Sequence, residues 1–192
     1  LPEVVGNVHR AYREAGDIIV TNTFGGNREK LSHYGLENRL REINQAAVAI
    51  ARQAAGDAAY VAASIGPTGK FVAPIGHLSF DAMAAIFREQ AEALVDAGAE
   101  LVTLETFLDI KEIRAAVIAI REVAPAIPII AMLTFDDKGR SVLGTPPEAA
   151  AITLEAVGAD IVGSNCGLGV DGRSEERRVG KECAALCRSR RS

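Results

Sequence analysis

Three stretches of this sequence repeat one pattern: EAGDIIVTNTF (residues 14–24), DAGAELVTLETF (96–107) and AVGADIVGSNC (156–166). Each closes a helical segment on a glycine (Gly16, Gly98, Gly158), crosses a short apolar run and ends in polar residues. Glycine takes the left-handed conformation that terminates a helix without the steric cost of a Cβ. A short apolar run without polar alternation reads as a strand buried on both faces, as in parallel sheets covered by helices. The predicted strands are Asp17–Thr21, Ala59–Ser64, Glu100–Leu104, Pro128–Leu133 and Asp160–Gly163. Helical periodicity fills the intervals: Pro2–Ala15, Leu36–Ala55, Ser79–Ala97, Ile110–Val123 and Pro146–Val157.

This alternation of helix and strand belongs either to an α/β barrel or to a doubly wound open sheet. No GxGxxG follows the first strand, and polar groups follow every strand rather than one crossover point. Both observations favour the barrel, whose sites gather at the carboxyl ends of all its strands. The expected fold is therefore α/β, an incomplete (β/α)8 TIM barrel with about five of its eight strands, since 192 residues fall short of the roughly 250 of a complete one.

After Gly172 the rhythm stops. Residues 173–192 (RSEERRVGKECAALCRSRRS) carry a net charge of +4, against -8 for residues 1–172. The chain is thus expected to comprise a partial barrel over 1–172 and an aberrant basic tail, non-native in character, over 173–192. An acidic body leaves no electrostatic footprint for nucleic acid. No apolar run approaches the ~20 residues of a membrane span. Three cysteines, two of them in the tail, make no secreted disulfide framework, and a cytoplasmic location is expected.

Parallel strands bring their carboxyl ends to one mouth. The groups placed there are Asn22 in TNTFGGN, Ser64 and Gly66 in SIGPTG, Glu105 in LETF, Thr134 in LTFDD and Asn165–Cys166 in SNCG. Glu105 directly follows an apolar strand, so its carboxylate needs a cation or several donors. A substrate ammonium and an arginine of the fold both meet that need. Asn22, Phe24, Gly25 and Gly26 form either a turn whose backbone N–H groups seat a carboxylate or an ordinary turn in which Asn22 caps the next helix. SIGPTG lacks the lysine of a P-loop and argues weakly for phosphate.

Cys166 is either a small buried apolar residue or a thiolate placed for chemistry. His9, His33 and His77 fall in helix or loop with no fixed relation to it, and a zinc ion usually takes three or four protein ligands. Cys183 and Cys187 share a helix face at i and i+4, but they lie in the tail, on no predicted strand end, and are not expected to complete a site.

TNTFGGNREKLSHYGL, SIGPTGK, LETFLDI, LTFDDKGRSVLGTPPE and GSNCGLG, in this order and spacing, resemble the homocysteine S-methyltransferase domain of the cobalamin-dependent methionine synthase family, over about residues 1–172. The resemblance implies a TIM barrel in which three cysteine thiolates hold zinc and homocysteine adds its sulfur as the fourth ligand. It implies that the sulfur receives a methyl group from methylcobalamin, reloaded by a methyltetrahydrofolate module, to give methionine. Residue by residue, Cys166 matches the first zinc ligand and Glu105 the carboxylate that holds the substrate ammonium. The backbone of Phe24 and Gly25 matches the carboxylate-binding turn, and Asn22 and Asn165 match orienting groups. The family's first strand would precede Leu1 and its remaining Cys-Cys pair would follow Gly172. The expectation is a domain truncated at both ends, weak in zinc and inactive alone. Two alternatives stay open: a standalone methyltransferase using S-methylmethionine or a betaine, and a TIM-barrel lyase. The lyase would want a Schiff-base lysine at a strand end, whereas Lys70 and Lys138 fall in loops.

Overall fold

A computed structural model describes residues 2–167 of the chain. Gly172, the tail, Cys183 and Cys187 lie outside the described residues. Five strands, β1 (Ile18–Val20), β2 (Tyr60–Ile65), β3 (Leu101–Phe107), β4 (Ile129–Leu133) and β5 (Ile161–Ser164), form one sheet in the order β1-β2-β3-β4-β5. All four neighbouring pairs are parallel. A doubly wound sheet reverses its strand order at a switch point; this sheet does not, and its order is that of an arc of a (β/α)8 barrel.

Helices α1 (Pro2–Arg13), α2 (Arg28–Ser32), α3 (Leu40–Ala55), α4 (Phe80–Asp96), α5 (Ile110–Val123) and α6 (Pro147–Ala156) connect the strands. Alternate strand residues face them: Ile19, Val61, Ala63, Ile65, Val102, Leu104, Ile129, Ala131 and Leu133 join Val48, Ala51, Phe87, Leu94, Ile113, Val117 and Ile120 in one buried core. Ile18, Val20, Ala62, Ser64, Thr103, Ile130 and Met132 occupy the intervening positions, on the sheet face away from the helices. Alanine-rich helices let backbones approach the sheet, and Phe87 fills the space against Phe107, ring centroids 5.7 Å apart.

The predicted elements recur with shifts of one to three residues at most ends, and three differences have physical causes. Gly98 and Gly158 adopt positive φ (93° and 104°) as the glycine pattern requires. Gly16 does not, because α1 ends at Arg13 and the Ala15 N–H closes the turn on the Tyr12 carbonyl, leaving Gly16 as lead-in to β1. The segment predicted as one helix from Leu36 opens with a separate 3-10 turn at Glu37–Arg39, and α2 before it has too few residues to show a period. No helix among the described residues is long and apolar enough to cross a membrane.

Candidate functional site

The ends of β3 and β5 are built around two strained residues. Strand β3 breaks register with β4 between Leu104 and Phe107, and within that irregularity Thr106 has φ 63°. A bulge bends a strand and re-aims the side chains beside it. Glu105, half-buried, accepts a hydrogen bond from Ser64 Oγ at 2.8 Å and forms no ion pair among the described residues. Among the described residues no arginine takes the partner's place. Among the described residues its one side-chain hydrogen-bonding neighbour is a hydroxyl on the adjacent strand.

Across the mouth, Asn165 clamps Thr106 from both sides. The Thr106 N–H donates to Asn165 Oδ1 at 2.8 Å, and Asn165 Nδ2 donates to Thr106 Oγ1 at 2.9 Å. Thr134 Oγ1 donates to the Asn165 carbonyl at 3.0 Å. Cys166 follows with φ 56° and its Sγ lies 3.5 Å from Thr106 Oγ1 and 3.8 Å from Asn165 Nδ2. It is exposed, so the reading of Cys166 as a buried apolar residue is overturned. Left-handed φ is uncommon for non-glycine residues, costs of order 1 kcal/mol or more and concentrates at functional sites. Here two such residues lie within 3.5 Å of each other, Thr106 Oγ1 to Cys166 Sγ, at the ends of β3 and β5 on either side of β4. Gly167 is fixed for a third reason: a Cβ there would sit 2.5 Å from the Phe135 carbonyl oxygen.

The turn after β1 is tied to β2. Thr23 Oγ1 donates to the Ser64 carbonyl at 2.7 Å and lies 2.6 Å from Thr21 Oγ1, which accepts from the Ser64 N–H at 3.0 Å. The Phe24 ring rests on Gly66, where a Cβ would come within 2.5 Å of it. Asn22 is exposed at this end of β1. It does not cap the following helix; Asn27 does, accepting from the Lys30 N–H at 3.0 Å.

Behind the mouth lies a carboxyl that the sequence reading passed over. Glu112, buried in the first turn of α5, accepts from both the N–H (2.7 Å) and Oγ1 (2.6 Å) of Thr68 in the loop after β2. Burial outweighs these bonds and raises its pKa to about 7. Asp109 caps α5, so Asp109-x-x-Glu112 has capping-box spacing. That spacing was the available signal, but Glu112 spends its oxygen on another loop. Thr106 was also missed, because a bulge leaves no mark in the apolar pattern.

The structure thus brings Glu105, Ser64, Thr106, Asn165 and Cys166 together, with Asn22, Phe24 and Gly25 on the adjoining β1 turn. Among the described residues no three His, Cys, Asp or Glu side chains surround a common point that could hold a metal ion. Cys166 offers one thiol donor, which alone does not fit a zinc site.

The sequence matches the homocysteine S-methyltransferase family model over residues 1–175. It is 34% identical over 188 residues to methionine synthase of Mycobacterium tuberculosis, covering 92% of this chain and 16% of that protein, and 33% identical over the same span to the Mycobacterium leprae protein. The chain therefore spans about one sixth of the length of these relatives. The fold superposes on the metallated form of the homocysteine methyltransferase MmuM from Escherichia coli with a TM-score of 0.78 at 26% identity, covering 89% of this chain and 65% of that one. The oxidized form gives 0.72 at 27% identity, covering 86% and 62%.

Proposed function

The chain belongs to the homocysteine S-methyltransferase family, and from that premise we propose that it is the homocysteine-binding portion of a methionine synthase. The observation that carries this reading is the bulge of β3, which sets Glu105 beside Ser64 and one residue from the Thr106–Asn165–Cys166 cluster. A carboxylate without a cationic partner among the described residues, at the rim of a polar mouth, suits the ammonium of an amino acid. The Phe24–Gly25 backbone takes the substrate carboxylate, and Asn22 and Asn165 orient the bound molecule. With both ends of the amino acid held, its sulfur extends toward Cys166.

In the whole protein Cys166 is one thiolate of a zinc site whose other ligands are not among the described residues. Zinc, once fully ligated, favours the thiolate of homocysteine over the thiol at neutral pH. The residues described here do the remaining work: they bind, orient and hold the two charged ends. Cobalamin bound to the whole protein would supply the methyl group, resupplied by a methyltetrahydrofolate-binding module, and the homocysteine held by these residues would accept it at sulfur to give methionine. An exposed thiol ligand suits a reducing compartment, which supports a cytoplasmic location. The likeness to a solved homocysteine methyltransferase supports a second reading, a standalone enzyme using S-methylmethionine or a betaine.

The test is transfer of a labelled methyl group to homocysteine by the full-length protein, offering methylcobalamin, S-methylmethionine or betaine as donor, with and without a chelator. Labelled methionine from methylcobalamin, abolished by the chelator, is expected. Transfer only from S-methylmethionine or betaine selects the second reading, and transfer from none of the three, or transfer indifferent to the chelator, overturns both.

A further inference from the structure

Two amide side chains lie under the β1 turn, and neither is at the mouth. Asn44, on α3, and Gln90, on α4, are both 0% exposed. Gln90 Nε2 donates to the Thr23 carbonyl at 2.9 Å and to Asn44 Oδ1 at 3.2 Å. Asn44 Nδ2 donates to the Gly26 carbonyl at 2.9 Å and to the Leu40 carbonyl at 2.8 Å. Gly26 is required by this arrangement, since a Cβ there would lie 2.5 Å from Asn44 Oδ1 and 2.8 Å from Gln90 Nε2. Gln90 Oε1 has no hydrogen-bond partner among the described residues. Burying an amide oxygen unpaired is costly, so the bonds made by its nitrogen are what this side chain contributes.

A trans peptide is planar, with its C=O and N–H pointing opposite ways. The Thr23 carbonyl is drawn toward Gln90 and also accepts from the Gly26 N–H at 2.8 Å, so the Phe24 N–H, in the same peptide plane, points away from α4. The Phe24 carbonyl accepts from the Gly66 N–H at 3.0 Å, which fixes the next plane and with it the Gly25 N–H. Neither the Phe24 N–H nor the Gly25 N–H donates to any described residue. Two adjacent amides are therefore held outward by carbonyls that are held inward, a concave arrangement suited to an anion.

We propose that Gln90 and Asn44 are positioning residues that act through the Thr23 and Gly26 carbonyls to aim the Phe24 and Gly25 amides at the carboxylate of an amino-acid substrate. This rests on the reading of the mouth as a homocysteine site and adds what makes the turn competent. The prediction is selective: loss of Gln90 weakens the grip on the carboxylate and leaves the thiol and ammonium contacts alone.

The experiment titrates the 15N-labelled full chain with homocysteine and with 3-aminopropane-1-thiol, the same molecule without its carboxylate. Homocysteine is expected to move the Phe24 and Gly25 amide resonances, and the decarboxylated thiol to leave them in place. Gln90→Met is expected to raise the apparent Kd for homocysteine about tenfold while changing that for 3-aminopropane-1-thiol less than about twofold. If that variant does not fold, Gly26→Ala displaces the same two amides and is read by the same criteria. Equal weakening of both thiols, no weakening of either, or amide resonances that ignore homocysteine in the unsubstituted chain would each overturn the proposal. Failure of methyl transfer in the full-length protein, with these binding results intact, would instead count against the enzymatic reading.

Discussion

The rim of the mouth and the layer beneath it are built from opposite materials. At the rim stand short side chains on strained backbone: Thr106 and Cys166 at positive φ, Asn165 between them, and Glu105 supported by a single hydroxyl. Beneath lie longer side chains on regular helices, fully buried: Asn44 and Gln90 under the β1 turn, and Glu112 behind the loop after β2. Among the described residues the Glu105 carboxylate bonds only a hydroxyl, whereas Asn44, Gln90 Nε2 and Glu112 bond chiefly to backbone carbonyls and amides of the turns above them. The difference matches the proposed division between groups that would touch a substrate and groups that fix where those groups point. Substitutions in the two layers should therefore fail differently.

The largest effect is expected at the rim. Glu105→Ala in the full-length protein removes the carboxylate proposed to hold the substrate ammonium, and kcat/KM for homocysteine should fall on the order of a hundredfold or more. Melting temperature should hardly change, because Glu105 is half-buried and bonded only to Ser64. A large loss of stability without a change in kcat/KM would show that Glu105 belongs to the supporting layer.

Glu112 should behave the other way. Its carboxyl titrates at about 7 in the folded chain against an ordinary value of 4.5, with burial as the main cause. Between those values the native state holds a proton that the unfolded chain has released. The contribution of this group to stability is thus fully present below the unfolded value and is lost as pH rises toward 7, by something on the order of 2–3 kcal/mol. Glu112→Gln keeps an acceptor for Thr68 but does not titrate. Urea unfolding at about pH 5 and about pH 8 should show wild type losing stability relative to the Gln variant as pH rises. A difference between the two proteins that is constant with pH would remove Glu112 as the titrating group.

Much of this organisation was legible in the sequence, for identifiable reasons. All five strands were visible because each is an uninterrupted apolar run, and α4 and α5 because their apolar residues recur at helical spacing. Asn22, Glu105, Asn165 and Cys166 were located by position alone, since a parallel strand must deliver the residue after it to the mouth. The supporting layer was less visible. Asn44 falls on the buried stripe of α3 with Leu40, Ala47, Val48 and Ala51, and Gln90 on that of α4 with Phe87, Ala91 and Leu94. A polar residue in an apolar stripe was the signal available, and helical periodicity counts it as noise. The β3 bulge left no signal, because a bulge is a property of two strands' pairing and one strand's sequence does not determine it.

A smaller effect is expected at the corner that presents Cys166. Gly167 has φ 71°, and a methyl group there would press on the Phe135 carbonyl oxygen. Gly167→Ala should cost about 2 kcal/mol in urea unfolding, through both backbone strain and the clash. An unchanged midpoint would mean that the β5 end yields easily and that the left-handed conformation of Cys166 is not enforced from this side.

The smallest effect expected is on zinc. Tetrahedral zinc takes three or four protein ligands, and a single thiol in water cannot compete with the hydration of the ion. The described residues place one thiol, Cys166, at the mouth and no cluster of further ligands around it. The isolated 192-residue chain should accordingly bind zinc weakly, and Cys166→Ser should leave its zinc content after dialysis nearly unchanged. In the full-length protein the same substitution should strip the metal and methyl transfer together, as the proposed zinc ligation by Cys166 requires. Tight one-to-one zinc binding by the isolated chain, lost in Cys166→Ser, would require further ligands within this chain and would move the boundary of the metal site inside it.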